Sequence, residues 1–182
     1  FKKGNLDMVY RLPLEMIKDV VGELDDAKKG GNKPYVMQVV PAMSVFYLGM
    51  QNKIAPFDNV DVRKAFNYAI DKNSIVTYTL QGDGRPGLHG IVPPFKGYDY
   101  ESVKGYAYDP EKAKEHMKMA GFENGKGFPE ITLQINSGGG DRNGQIAEVV
   151  QKMLSENLGV TINIEQLQFP QHLENLETGK AL

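Results

Sequence analysis

The stretch "ITLQINSGGGDRNGQIAEVVQKMLSENLGVTINIEQL", Ile131 to Leu167, changes its hydrophobic period twice. Ile131, Leu133 and Ile135 alternate with polar neighbours, as on a half-buried strand. From Ile146 the period lengthens. Ile146, Val149, Val150, Met153, Leu154 and Leu158 form one stripe of a helix that Gly159 terminates. "VTINIEQL" then alternates again. Strand, helix and strand with short connections make a βαβ unit, so the two strands are expected to run parallel with a right-handed crossover. This places the chain in the α/β class, with a mixed sheet and flanking helices.

Upstream, "YDPEKAKEHMKMAGF" is the cleanest helix. Asp109 caps it, Pro110 takes the first position, Glu111 faces the positive end of the dipole, and Gly121 ends it. In "PFDNVDVRKAFNYAIDKNSIV", Pro56 to Val76, one helical face carries Val62, Ala65, Phe66, Ala69 and Ile70. Asp58 or Asn59 caps that helix; Asp71 caps a second, which stops at Gly82. From Gly82 to Tyr108 there is no period, and a loop of that length is usually functional or wraps a surface. "PYVMQVV" and "SVFYLGMQ" read as two strands, and Leu6 to Leu12 as a short one. Pro13 opens a helix with Leu14, Ile17, Val21 and Leu24 on one side, and "PQHLENLETG" reads as a last short helix.

The 182 residues are 41% hydrophobic and 24% charged, ordinary values for a globular domain. The net charge of −2, with both signs interspersed, gives no case for nucleic acid or an anionic membrane surface. There is no cysteine, which excludes disulfides and thiolate metal sites. The chain opens at Phe1-Lys2-Lys3-Gly4 and closes at Thr178-Gly179-Lys180-Ala181-Leu182, which reads as a single α/β lobe, 1–182, of a longer protein.

No catalytic set stands out. His89, His116 and His172 are scattered, without metal-ligand spacing; His116, near a helix C-terminus, suits the dipole. Asp25-Asp26 and Glu174/Glu177 lie in polar segments and read as surface charge. Ser137-Gly138-Gly139-Gly140 joins a strand to a helix but continues Asp141-Arg142-Asn143, which lacks both the Gly-Lys-Ser/Thr of a phosphate loop and GxGxxG. Its position is informative nonetheless. The C-terminal end of a strand meeting a helix N-terminus is where open α/β sheets commonly meet ligands. The stretches around Tyr98, Tyr100, Tyr106 and Tyr108 more often pack a loop onto its own domain than stack on a ligand.

The order of motifs resembles the family 5 extracellular solute-binding proteins. "FKKGNLDM" is similar to a Phe-x-x-Gly-x-x-Asp passage of that family. "YLGMQNKIAPFDNVDVRKAFNYAIDKNSIV" resembles its signature through Asn52, Pro56-Phe57, Asp58, Val62-Arg63, Ala65 and Ala69-Ile70-Asp71. "LQGDGRPGLHGIVPP", "YAYDPEKAKEHMKMAGF" with Asp109 and Gly121, "FPEITLQIN", "IAEVVQKMLSENLGVTINIEQ" and "LETGKAL" follow in family order. The resemblance implies one lobe of a type II periplasmic-binding clamshell and an architectural role for Asn52, Pro56, Phe57, Asp58, Arg63, Asp71, Asp109 and Gly121. It implies a substrate-binding component of an ABC importer, without catalysis or cofactor, that captures di- or oligopeptides for membrane permease subunits. Relatives taking a nickel complex, haem, sugars or opines, or a sensor use of the clamshell, are the alternatives; an α/β hydrolase or transferase would need a nucleophile and base that are not evident. A monomer at the periplasmic or outer face of the cell membrane is expected, with any lipid anchor outside these residues. The cleft face is expected on two loops: Asn136, Ser137, Arg142 and Asn143 on one, Thr79, Gln81 and His89 on the other.

Overall fold

The computed structural model describes residues 2–10, 12–30 and 35–179. In chain order the elements are α1 (Leu14–Lys28), α2 (Val60–Ala69), α3 (Lys72–Ser74) running on into a wide π-type turn (Ile75–Thr79), α4 (Pro110–Met119), β1 (Ile131–Asn136), α5 (Asp141–Leu158), β2 (Ile162–Leu167) and α6 (Phe169–Thr178). β1 and β2 pair in parallel, with Ile131 opposite Ile162 and Asn136 opposite Leu167. The βαβ unit read from the alternating and helical periods is therefore present.

α5 is the central element. It packs on β1 and β2, and also on α2, α4 and the π turn. Its stripe Val150, Leu154 and Leu158 is at most 2% exposed and meets Val62, Phe66, Met117, Val160 and Ile162 in one core. Burying a large apolar side chain of this kind contributes about 1.5–3 kcal/mol. α2 and α4 lie against each other through fully buried Ala65, Ala69 and Ala113, whose small side chains permit close approach. Phe57, Phe66, Phe128 and Phe122 continue the core as a chain of ring contacts at 5.1–5.8 Å between centroids.

Side chains fix the helix ends. Asn59, rather than Asp58, caps α2 by accepting from Asp61 N–H at 2.8 Å. Asp71 Oδ1 accepts from the N–H groups of Asn73 and Ser74, both at 3.1 Å. Asp109 Oδ1 accepts from Lys112 N–H at 3.1 Å and its other oxygen pairs with Lys112 Nζ at 2.9 Å. Arg63 Nη1 donates to the carbonyls of Phe57 at 2.6 Å and Asp58 at 3.1 Å, drawing the turn before α2 onto the helix; Pro56 in that turn is buried and Asn52 exposed. His116 does more than sit at a helix end: its Nδ1 lies 2.9 Å from Asp61 Oδ1 and its ring stacks on Tyr68, joining α4 to α2. Lys72 Nζ donates to the carbonyls of Asn67 at 3.3 Å and Tyr106 at 3.1 Å, and its burial lowers the ammonium's pKa from the usual lysine value.

Three expectations are corrected. The strands read in "PYVMQVV" and "SVFYLGMQ" are not formed among the described residues. From Val36 to Gln51 no ladder forms among the described residues, and Val36, Val39 and Val40 are 83%, 79% and 80% exposed. Strand propensity needs a neighbour to pair with, and a lone segment lacks one. Leu6 to Leu12 likewise shows no strand among its described residues; Arg11 within it lies outside them. The α/β class holds: among the described residues the sheet is two parallel strands with flanking helices. In α1 the inward residue is Val20, 5% exposed, whereas Val21 of the expected stripe faces solvent.

The end of α5 is locked by two glycines. Gly159 adopts φ 70°, and a Cβ there would stand 2.6 Å from the carbonyl oxygen of Asn124; Gly125 approaches the Gly159 carbonyl from the other side. Gly159→Ala is expected to cost at least about 1 kcal/mol, whereas Gly144→Ala, within α5 and with open space around it, adds about 0.5–1 kcal/mol. Urea midpoints of the two variants, moving in opposite directions, check this. A second expectation concerns Asp109. Hydrogen bonds from the Lys112 side chain and then its backbone N–H hold the carboxyl below the ordinary carboxylate pKa. The contribution is therefore present above the unfolded carboxyl pKa and is lost as pH falls through the lower folded value. Asp109→Ala lowers Tm at neutral pH, and the gap from the parent closes in acid; thermal melts across pH measure it.

Candidate functional site

β1 ends at Asn136, and the chain turns through Ser137–Gly139 into α5. Asn136 Oδ1 accepts from Gly138 N–H at 2.9 Å, which closes the turn. Asn143 reaches back one helical turn, its Nδ2 donating to the Asn136 carbonyl at 3.1 Å and lying 3.4 Å from Asn136 Oδ1. Ser137 Oγ donates to Gln168 Oε1 at 3.4 Å, tying the turn to the residue before α6. Gly140, the residue before α5, supplies no side-chain cap, so the first N–H groups of that helix are left without a side-chain acceptor.

The second loop begins where the π turn ends. Leu80 N–H donates to Ile75 C=O at 2.9 Å, five residues back, and Gln81 follows with φ 52°. A π turn and a non-glycine residue in the left-handed region are both costly local choices that cluster at functional sites. Thr79 and Gln81, together with Tyr78, face Gln145, Glu148 and Val149 of α5 across an open hollow of about 310 Å3, whose wall is completed by Glu15 of α1. Gln81 Oε1 is buried without a hydrogen-bond partner.

Arg142 joins the two loops. Its guanidinium pairs with the Asp83 carboxylate across 59 residues of sequence and lies 5.8 Å from the centre of the Phe46 ring. Arg142, Gln145 and Val149 fall at i, i+3 and i+7, so the ion pair and the hollow share one face of α5. The structure thus brings Asn136, Ser137, Arg142 and Asn143 together, and sets Thr79 and Gln81 along the same helix. His89 is elsewhere. Its Nδ1 meets the Val103 carbonyl at 3.0 Å and its ring packs edge-on against Tyr100, while Gly105 runs close against Leu88. Among the described residues no recorded contact links His89 to Thr79, Gln81 or the 136–143 turn. It zips the two limbs of its own loop.

Asp83, Phe46, Gln145 and Glu148 escaped the sequence reading. Asp83 sits in "QGDGRP", which reads as a turn, and its partner lies in another block. Gln145 and Glu148 lie on the polar face of a helix, where nothing in the sequence distinguishes one polar residue from the next.

Chemically the face offers amide donors and acceptors, one arginine paired with one aspartate, the carboxylates of Glu15 and Glu148 in the wall of the hollow, and helix N–H groups without a side-chain cap. No group of three or more His, Cys, Asp or Glu positioned for a metal occurs among the described residues. No described helix is long and apolar enough to cross a membrane. If Asn136 Oδ1 organises the turn, Asn136→Ala costs about 1 kcal/mol, and the Gly138 amide exchanges faster with solvent. Hydrogen exchange reads both.

A sequence model of the bacterial extracellular solute-binding proteins, family 5 Middle, matches residues 1–181. The oligopeptide-binding protein OppA of Bacillus subtilis is 29% identical over 198 aligned positions, covering 97% of this chain and 35% of that protein. Heme-binding protein A of Haemophilus influenzae is 42% identical over 83 positions, 46% of this chain and 15% of that one. Among solved structures, a periplasmic oligopeptide-binding protein of Borrelia burgdorferi superposes with a TM-score of 0.67 at 29% identity, covering 72% of this chain and 26% of that one. The chain therefore spans about a third or less of the length of these relatives.

Proposed function

The chain belongs to the bacterial extracellular solute-binding proteins of family 5, and on that premise we propose that it is one lobe of a solute-capture protein that takes a di- or oligopeptide and presents it to the permease subunits of an ABC importer. The match over residues 1–181 carries this reading; relatives named for oligopeptide binding support the peptide. The lobe is monomeric in this reading, and the protein works outside the cytoplasmic membrane, with any lipid anchor supplied by other residues. Capture and release involve no covalent chemistry. The free energy comes from burying the solute in a cleft and from favouring a closed arrangement.

In this reading Asn136, Arg142 and Asn143, with Thr79 and Gln81 beside them, form this lobe's side of the cleft. The turn after β1 supports that choice: it is a strand end beside a helix with uncapped N–H groups, next to a wide turn and a left-handed Gln81. Peptide carbonyls and carboxylates are complementary to such donors, and bridging waters let one surface take many side chains.

A non-peptide solute is the second reading, and one observation favours keeping it. The relative named for haem binding is more similar over its matched part than the relative named for oligopeptides. The residues matched here therefore describe the scaffold more than the cargo.

In the complete protein, backbone amide signals followed during titration with trialanine should move at Asn136, Arg142, Asn143, Thr79 and Gln81. Those of Glu115 and Lys152, on outer helical faces, should stay. Movement confined to the latter pair would place the cleft elsewhere.

A further inference from the structure

Arg142 is the second residue of α5, close to the positive end of the helix dipole, where a cation is disfavoured. The Gly140 cap adds no negative group. Asp141, in the first turn, offsets the dipole. The counter-charge in contact with Arg142 itself is the carboxylate of Asp83. That carboxylate is carried by a hydrogen-bonded turn. Gly82 N–H donates to Val76 C=O and Asp83 N–H to Leu80 C=O, both at 2.8 Å, so the turn that presents Asp83 is tied to the π turn. On its other side the guanidinium lies near the Phe46 ring. The pair is partly open: the Arg142 side chain is 27% exposed and that of Asp83 47%.

We propose that Asp83 sets the charge preference of this face. Its carboxylate holds Arg142 Nη2, so the Arg142 charge is already neutralised as folded and the guanidinium's surroundings take uncharged amide and carbonyl groups. Without Asp83 the same face becomes an arginine on a helix N-terminus, a combination suited to a carboxylate or another small anion. Asp83 is a specificity-determining residue, acting through Arg142 on which solute groups are accepted there. The proposal rests on the reading of this face as part of the solute site.

The full-length protein is compared with Asp83→Asn and with the double variant Asp83→Asn/Arg142→Gln. Acetate is the first probe, read at the Arg142 guanidinium Nε–H signal, which needs no knowledge of the natural solute. Acetate should leave that signal almost unmoved in the parent and shift it saturably in Asp83→Asn, with an apparent affinity at least about fivefold higher. The acetate-induced change elsewhere on the face should vanish in the double variant. An equal acetate response in parent and Asp83→Asn overturns the proposal, as does a response on the face that survives in the double variant. The second probe is trialanine with a free or an amidated C-terminus. Asp83→Asn should raise the preference for the free acid by about tenfold, and an unchanged ratio overturns the proposal. If neither peptide binds any variant, the peptide reading of the function fails, while the acetate result still decides the role of Asp83.

Discussion

Everything in this fold leans on the burial of α5 from two sides. One side of the helix covers the parallel pair β1 and β2; the other receives α2, α4 and the π turn. Parallel strands cannot be joined by a tight turn, so a long crossover is required; here it is a helix, held in place by burying an apolar stripe. Val150, Leu154 and Leu158 supply that stripe. Because the helix is fixed at both faces, its two ends are fixed as well. One end is locked against the 123–125 turn by Gly125 and Gly159. The other is held where Arg142 and Asn143 can meet groups from distant parts of the sequence.

Where interactions are local in sequence, the structure was legible beforehand. The caps of Asp71 and Asp109, the helix of α4, the stripe of α5 and the alternation of β1 and β2 all rest on neighbours within about one helical turn or on a strict period. What could not be read depends on partners far away. "PYVMQVV" has the composition of a strand, but the ladder that makes a strand belongs to another segment, and the described residues contain none. The link from Asp83 to Arg142 spans 59 residues and joins two segments that each read as flexible loop. His89, grouped by proximity in sequence with Thr79 and Gln81, is drawn away by Val103 and Tyr100. Val20 replaced Val21 as the buried residue of α1 because a stripe read by eye carries a one-residue uncertainty that only packing resolves.

The division between scaffold and cargo also has a structural form. Residues that carry the family signature, such as Arg63 with the Phe57 and Asp58 carbonyls or Asp71 with Asn73 and Ser74, spend their polar atoms inside the lobe. Removing one partner of such a pair leaves a donor or acceptor unsatisfied, so these groups serve the fold of the lobe. Groups at the end of β1 and the start of α5, Asn136, Ser137, Arg142 and Asn143, are half-buried and lie outside the core cluster.

The segment around Val36, Val39 and Val40 has a practical consequence. Among the described residues Val36 to Val40 form no ladder, and Val36, Val39 and Val40 stand in solvent with no proline among them to interrupt pairing. A stretch of this kind is a template onto which another extended chain can add, and at high concentration the most abundant extended chain is a copy of itself. A lysine or proline placed among those valines would act as a gatekeeper and leave the helical lobe untouched.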